Sequence, residues 1–289
     1  MLTKARSYPL TRSPLYQMPS KRKLAALLGV SMSDLRRLSG HEHLYTHFPV
    51  RKKDGTSRIV DNPRDQLKRV QRRLSALLGR IAAPDVLFCP VKGRSYVDNA
   101  AHHRGGRVVH SLDIKKYFPS TTRRRVFWFF NSVLCCPRDV ATILARIACC
   151  GENLATGSPL SPILAYYAHV DVWEEVARLA AAHDCKLSIY IDDVTISGCH
   201  VPGTLIWEIK RVIYASGLRY HKEKRAVDRP CEVTGVVLRA GRLCVPNRQH
   251  RKLRLARRQK DRDPCPKSLG TFAGLVGQAY QIATANRGG

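Results

Sequence analysis

Three aspartates stand where side chains could do chemistry together. Asp113 closes an apolar run at 107–113, and Asp192-Asp193 makes a tight turn between extended runs at 186–191 and 194–197. Ile189, Ile191, Val194 and Ile196 flank that turn. The chain has 22 acidic residues against 50 Lys and Arg, so a place where carboxylates gather carries information. If these runs lie side by side in one sheet, the three carboxylates meet at one edge, at a cost unless something neutralises them. Hard cations with oxygen ligands do that, and Mg²⁺ takes one or two carboxylates together with substrate phosphates. Two such ions about 3.5–4 Å apart can activate a 3′-hydroxyl and stabilise a leaving pyrophosphate. That chemistry is nucleotidyl transfer. An Asp-Asp pair alone is equally an ordinary turn, which favours Asp, so the surroundings must decide.

The elements that position these residues read as a mixed α+β protein with an antiparallel sheet. Runs 21–28 and 33–38 are short basic helices. Extended runs at 47–52 and 56–60 flank Asp54-Gly55, a strong hairpin signal. Pro63 is expected to open a helix whose stripe is Leu67, Val70, Leu74, Leu77, Leu78 and Ile81. After the strand at 107–113 come helical stretches at 121–131, 138–150 and about 160–182. A helix near 203–215 precedes extended pieces at 232–238 and 242–245, and helices return at 247–260 and 267–284.

Composition bounds the partners. The net charge of +28 on 289 residues is self-repelling and points to a polyanion, with nucleic acid ahead of an anionic membrane. At 44% hydrophobic residues the chain is globular. Its ten cysteines include no C-x-x-C pair, which argues against a zinc ribbon and for core filling. Residues 1–19 lack a signal-peptide core and no run is long enough to span a bilayer, so a cytoplasmic protein without a membrane partner is expected.

The motifs around the aspartates resemble those of reverse transcriptases. Ser111-Leu112-Asp113-Ile114-Lys115-Lys116-Tyr117-Phe118 is similar to motif A, Gly157-Ser158-Pro159-Leu160-Ser161-Pro162 to motif B, and Tyr190-Ile191-Asp192-Asp193 to motif C. Gly217-Leu218 through Lys224 resembles motif D, and Arg58-Ile59-Val60 resembles the fingers strands that hold the incoming triphosphate. The resemblance runs from about Lys21 to Leu238. It implies a right-hand polymerase with helical and hairpin fingers, an antiparallel-sheet palm and a small helical thumb. The expected division is 1–106 fingers and N-terminal region, 107–120 palm, 121–152 fingers and palm helices, 153–238 palm, and 239–289 thumb.

The same resemblance implies two Mg²⁺ ions, with Mn²⁺ as a substitute, held by Asp113, Ile114, Asp192 and Asp193. Deoxynucleoside triphosphates would meet Arg58, Phe118, Thr156, Gly157 and Tyr190. Phe118 would exclude a 2′-hydroxyl, although its type alone also suits a core aromatic. Lys224 would protonate the leaving pyrophosphate, or is a solvated lysine in a basic run. Three departures stand out: Ala155-Thr156-Gly157 replaces the usual Pro-Gln-Gly, Ile191 replaces Ala, and His221 replaces Asn.

Two further segments narrow the class. Asn99-Ala100-Ala101-His102-His103 and Val233-Thr234-Gly235 are similar to the Asn-Ala-x-x-His and Val-Thr-Gly signatures of retron reverse transcriptases. That likeness implies a structured noncoding RNA primed from a guanosine 2′-hydroxyl, a branched RNA–DNA product, antiphage defence and a separately encoded effector. From Arg239 to Arg262 there are ten Lys or Arg and one acid, Asp261. Arg251, Arg254, Arg258 and Arg262 recur at helical spacing. Such a face suits an RNA anchor reading shape and phosphates, the plainer alternative being a solvated basic helix. Asn99, His103, Val233, Thr234 and Gly235 join Arg248, Arg251, Arg254 and Arg258 as the expected RNA-binding set. Rival readings are a group II intron-like, diversity-generating or non-retron defence reverse transcriptase, an RNA-dependent RNA polymerase, and a non-catalytic RNA-binding protein.

Overall fold

The computed structural model describes residues 7–40, 42–51 and 55–286. Asp54 of the expected hairpin turn, with Lys52 and Lys53, lies outside the described residues. The strands are β1 (Tyr45–Arg51), β2 (Ser57–Pro63), β3 (Leu87–Cys89), β4 (Val108–Ile114), β5 (Cys149–Cys150) and β6 (Asn153–Leu154). They continue as β7 (Lys186–Tyr190), β8 (Asp193–Gly198), β9 (Tyr220–Val227), β10 (Cys231–Val233), β11 (Val236–Arg239) and β12 (Arg242–Cys244). The fold is α+β: β3 pairs parallel with β7, while β1–β2, β4–β8, β5–β6, β7–β8, β10–β11 and β11–β12 pair antiparallel. Among the described residues no helix is long and apolar enough to cross a membrane.

The chain forms two compact units. The first comprises Met1–Pro84, Ile114–Val176 and Lys210–Arg219. It holds the β1–β2 hairpin, the short β5–β6 hairpin and most of the early helices. Helix Asp65–Leu78 buries Leu67, Val70, Leu74, Leu77 and Leu78 on one stripe, each worth about 1.5–3 kcal/mol of transfer from water. Pro63 does not open this helix. It ends β2, paired with Tyr45, and Arg64 is the helix cap.

The stretch expected as one helix at 160–182 is two, Ser161–Ala168 and Val170–Ala182. The break falls at His169, fully buried with Nε2 3.3 Å from the Thr121 hydroxyl. Likewise 121–131 is helix Arg123–Trp128 followed by a π-turn at Phe129–Val133, and 138–150 stops at Ala148 because Cys149 and Cys150 extend into β5.

The second unit comprises Asp85–Asp113, Ala177–Ile209 and Tyr220–Gly289. Its main sheet has the order β3-β7-β8-β4-β9. Residues 85–106, assigned above to the fingers region, cluster here instead, because β3 pairs with β7 and helix Tyr96–His102 packs Val97 and Ala100 into this unit's core. That core includes Val109 from β4, Val236 and Leu243 from the sheet β10-β11-β12, and Ile282 from helix Pro266–Thr284. The extended piece expected at 232–238 is a hairpin, turning at Thr234 and Gly235, which have φ of 44° and 88°.

β9 is absent from the sequence reading. Its residues, Tyr-His-Lys-Glu-Lys-Arg-Ala-Val, show no apolar alternation, and it lies at the sheet edge, where charged residues discourage further pairing.

His103 caps helix Tyr96–His102 and is 1% exposed. Its Nδ1 lies 2.7 Å from the Ser197 hydroxyl and its Nε2 2.7 Å from that of Ser188. Burial foremost, then neighbouring His102 and Lys186, holds its pKa down at about 3. The unfolded chain takes up this proton below about pH 6.5 and the folded one does not, so stability is whole above that pH and declines toward pH 3. The loss is about 1.4 kcal/mol per pH unit. His103→Gln should flatten the acid limb of a stability-versus-pH curve by that slope, as read from urea midpoints between pH 7 and 5. An unchanged slope would mean that His103 is protonated in the folded protein.

Candidate active site

The sheet brings the aspartates of the second unit together. Asp113, next to last in β4, lies directly opposite Asp193, the first residue of β8. Tyr190 closes β7 and pairs across the hairpin with the same Asp193, so Ile191 and Asp192 form a two-residue turn. Ile191 has φ of 59°, a left-handed conformation that a β-branched residue adopts only under strain from its surroundings.

Burial foremost, then Asp113, raises the pKa of Asp192. Burial, then Asp192 and Asp113, pushes Asp193 up to about 6. Two carboxylates whose charge is resisted by desolvation and by each other form a donor set that a hard cation would relieve. Among the described residues no three aspartate oxygens gather within 4.8 Å of one another.

Cations flank the cluster. From β9, His221 Nδ1 lies 3.6 Å from Asp113 Oδ1, and Lys222 Nζ lies 3.7 Å from Asp113 Oδ2. Lys224, two residues along the same strand, lowers the cost of ionising Asp193. A cleft of about 600 Å³ is lined by Asp113, Tyr190, Asp193, Lys222, Lys224, Thr234 and Arg248, among others. Burial and the Cys89 thiol raise the Tyr190 hydroxyl to about 12, keeping it a neutral donor. Ile114 has a buried side chain, so only its backbone can serve a ligand. Sequence reasoning missed Lys222, and His221 as a neighbour of Asp113. The i, i+2 spacing of Lys222 and Lys224 would have flagged that face had β9 been recognised.

Arg58, Phe118, Thr156 and Gly157 belong to the first unit. Arg58 is exposed on β2 and Phe118 is half-buried beside Tyr117. The Thr156 hydroxyl accepts from the Asp61 N–H at 3.0 Å and can donate to the Ile59 carbonyl or the Asp61 carboxylate, both at 3.2 Å. The Gly157 N–H donates to the Asp61 carbonyl at 3.1 Å. A threonine in place of the longer glutamine thus fastens this loop to β2.

The two short signatures meet in space. Asn99 Nδ2 donates to Thr234 Oγ1 at 3.2 Å, and that hydroxyl donates to the Tyr96 carbonyl at 3.0 Å. Asn99, His103 and Val233 are buried, and the contacts of the first two are with neighbouring strands and a turn. Through Ser188 and Ser197, His103 braces the strands that carry Asp192 and Asp193, while Asn99 holds the Thr234-Gly235 turn. On helix Asn247–Arg262, Arg248 forms a two-pronged pair with Glu232 at 2.8 and 2.5 Å, while Arg251, Arg254 and Arg258 are exposed.

No protein-family model matches the chain. Retron Mx162 reverse transcriptase of Myxococcus xanthus is 28% identical over 264 residues, covering 78% of this chain and 54% of its own length. Retron Mx65 reverse transcriptase of the same organism is 30% identical over 259 residues, covering 79% and 60%. Retron Ec86 reverse transcriptase of Escherichia coli is 25% identical over 218 residues, covering 73% and 68%. The chain thus spans between about half and two thirds of these relatives. Among solved structures, that of the foamy viral protease-reverse transcriptase dRH in complex with ds DNA aligns at 15% identity with a TM-score of 0.49. It covers 81% of this chain and 36% of that one, a likeness too loose to bear on activity.

Proposed function

The chain is similar to retron reverse transcriptases over about three quarters of its length, and we propose that it is the RNA-directed DNA polymerase of a retron. In this reading it copies its own noncoding RNA from a guanosine 2′-hydroxyl into branched, multicopy single-stranded DNA, and serves antiphage defence with a separate effector. The observation that carries it is the register of β4 against β8, which sets Asp113 opposite Asp193 beside the Asp192 turn. Intact carboxylates argue against a binding protein without activity.

Asp113, Asp192 and Asp193, with the backbone of Ile114, would hold two Mg²⁺ ions. When bound, those ions supply a lowered pKa at the attacking hydroxyl and charge neutralisation at the leaving phosphates. The chain's own residues do the rest. Lys224, which lines the cleft, would give a proton to pyrophosphate, while Lys222 would offset the carboxylate charge before substrate arrives. Arg58, Thr156, Gly157 and Tyr190 would orient the deoxynucleoside triphosphate, and Phe118 would exclude a 2′-hydroxyl. Residues 239–289 would act as the thumb. An RNA template with an annealed DNA primer, Mg²⁺ and labelled deoxynucleotides tests the activity. Extension that stops when ribonucleotides replace deoxynucleotides is expected, and a preference for ribonucleotides would point to an RNA polymerase instead.

The exposed arginines of helix Asn247–Arg262 would grip RNA phosphates. Replacing Arg251, Arg254 and Arg258 together with Gln should reduce the slope of log affinity against log salt by about 2, at about 0.7 per phosphate. A filter-binding titration from 50 to 300 mM salt reads the slope, and an unchanged value would mark this helix as a solvated face.

A further inference from the structure

Outside the carboxylate cluster, one group of metal-ligating side chains gathers among the described residues. His47, Asp61 and Cys150 each offer a ligand atom, and these atoms all lie within 4.8 Å of one another. We propose that they form a binding site for a borderline transition-metal cation, best suited to Zn²⁺, in the first unit. Nothing in the polymerase reading requires this site.

Three elements converge there, and no linear spacing would reveal it. His47 on β1 is directly opposite Asp61 on β2, with Nδ1 3.0 Å from Oδ1. Cys150 comes from β5, on the tight hairpin that pairs Cys149–Cys150 with Asn153–Leu154. A buried network holds β1 to the end of β5. The Gln71 amide donates to the Tyr45 hydroxyl at 2.9 Å and the Ile147 carbonyl at 2.8 Å, and that hydroxyl donates to the Cys149 carbonyl at 3.3 Å. Ser158 in turn donates to Gln71 Oε1 at 2.7 Å.

The support around Asp61 is what a metal ligand needs. Its Oδ2 accepts from the Thr156 N–H at 3.3 Å and faces the Thr156 hydroxyl at 3.2 Å, which fixes the carboxylate while Oδ1 points to His47. Outer hydrogen bonds of this kind orient ligating groups and raise affinity.

The donor set selects the metal. Imidazole, carboxylate and thiolate together suit Zn²⁺, which takes three protein ligands and leaves a fourth position open to water. A thiolate disfavours Mg²⁺ and Ca²⁺, which take oxygen ligands. Bonds of about 2.0–2.3 Å put tetrahedral ligands roughly 3.3–3.7 Å apart, so closure on an ion asks a contraction of about 1 Å. His47 is exposed and can supply it. Binding releases the Cys150 thiol proton to solvent, forming a metal–sulfur bond. Because Asp61 is bonded to the Thr156-Gly157 loop, an ion here would tie the β1–β2 hairpin, β5 and that loop into one rigid piece.

Co²⁺ titration of the full chain, stripped by chelator and kept reduced, tests the site without recourse to polymerase activity. One equivalent should produce a thiolate-to-metal charge-transfer band in the near ultraviolet with a tetrahedral visible band, both displaced by Zn²⁺. Cys150→Ser should abolish the charge-transfer band, whereas Cys135→Ser, at an exposed thiol outside the group, should leave it intact. His47→Ala, at an exposed position, should weaken Co²⁺ binding by at least about 10-fold and remove a Zn²⁺-dependent rise in melting temperature. No band at one equivalent, an equal loss in both cysteine variants, or an undiminished affinity in His47→Ala would each overturn the proposal.

Discussion

Asp192→Asn should lower DNA synthesis at least ~10³-fold, since a metal ligand is worth several kcal/mol of transition-state charge stabilisation. The same change should make the metal-free protein more stable at pH 7–8. Burial and Asp113 raise the pKa of Asp192 above its unfolded value, so its ionised form strains the fold. The sign follows from linkage. Stability is full below the unfolded carboxylate pKa and falls as pH rises through the folded value, which for neighbouring Asp193 is about 6. Removing that charge, discounted for solvent screening, should be stabilising at neutral pH. Mg²⁺ should raise the melting temperature of the wild type and do so far less in the variant. A variant that still incorporates labelled deoxynucleotides at full rate would contradict the site assignment, and one less stable than the wild type without metal would contradict the electrostatics.

Gly157→Ala should damage both the fold and the activity. A Cβ there would lie 2.8 Å from the Asp61 carbonyl oxygen, 2.9 Å from Val60 Cγ1 and 3.2 Å from Asn62 Cα. Two of these three are backbone and cannot swing aside. Overpacking of this kind costs about 1–3 kcal/mol, or roughly 2–5 °C in melting temperature for a protein of this size. It would also part Thr156 from Asp61, and if this loop positions the triphosphate as proposed, a displacement near 1 Å should cost about 100-fold in rate. Gly274→Ala is the internal control, because a Cβ there meets nothing within 4 Å and alanine favours its helix. Wild-type stability and kcat/KM in Gly157→Ala would show that β2 yields where the packing says it cannot.

The meeting of the aspartates was legible because Asp113 ends an apolar run and Asp192-Asp193 turns between two others, so that pairing these runs in one sheet sets Asp113 opposite Asp193. The main elements were legible from apolar period, as the buried stripe of helix Asp65–Leu78 illustrates. β9 escaped because an edge strand needs no apolar alternation, and Lys222 was lost with it. The break at His169 escaped because a buried histidine looks like any helical residue until its partner Thr121, far away in sequence, is known. His103 and Asn99 were legible as signature residues but not as buried ones, since their partners Ser188, Ser197 and Thr234 come from later strands and turns. His47, Asp61 and Cys150 share no spacing at all. Cysteines read together as core filler divide in the structure, with Cys136, Cys149 and Cys185 buried and Cys135 and Cys199 exposed.

The nucleic acid that co-purifies with the protein expressed from its native locus tests the central claim most directly. It is to be treated with RNase, DNase and a debranching enzyme, beside Asp192→Asn. A discrete single-stranded DNA that shifts on debranching and is missing from the variant is the predicted result. Bound RNA with no DNA from the wild type, or the same DNA from both proteins, would contradict it.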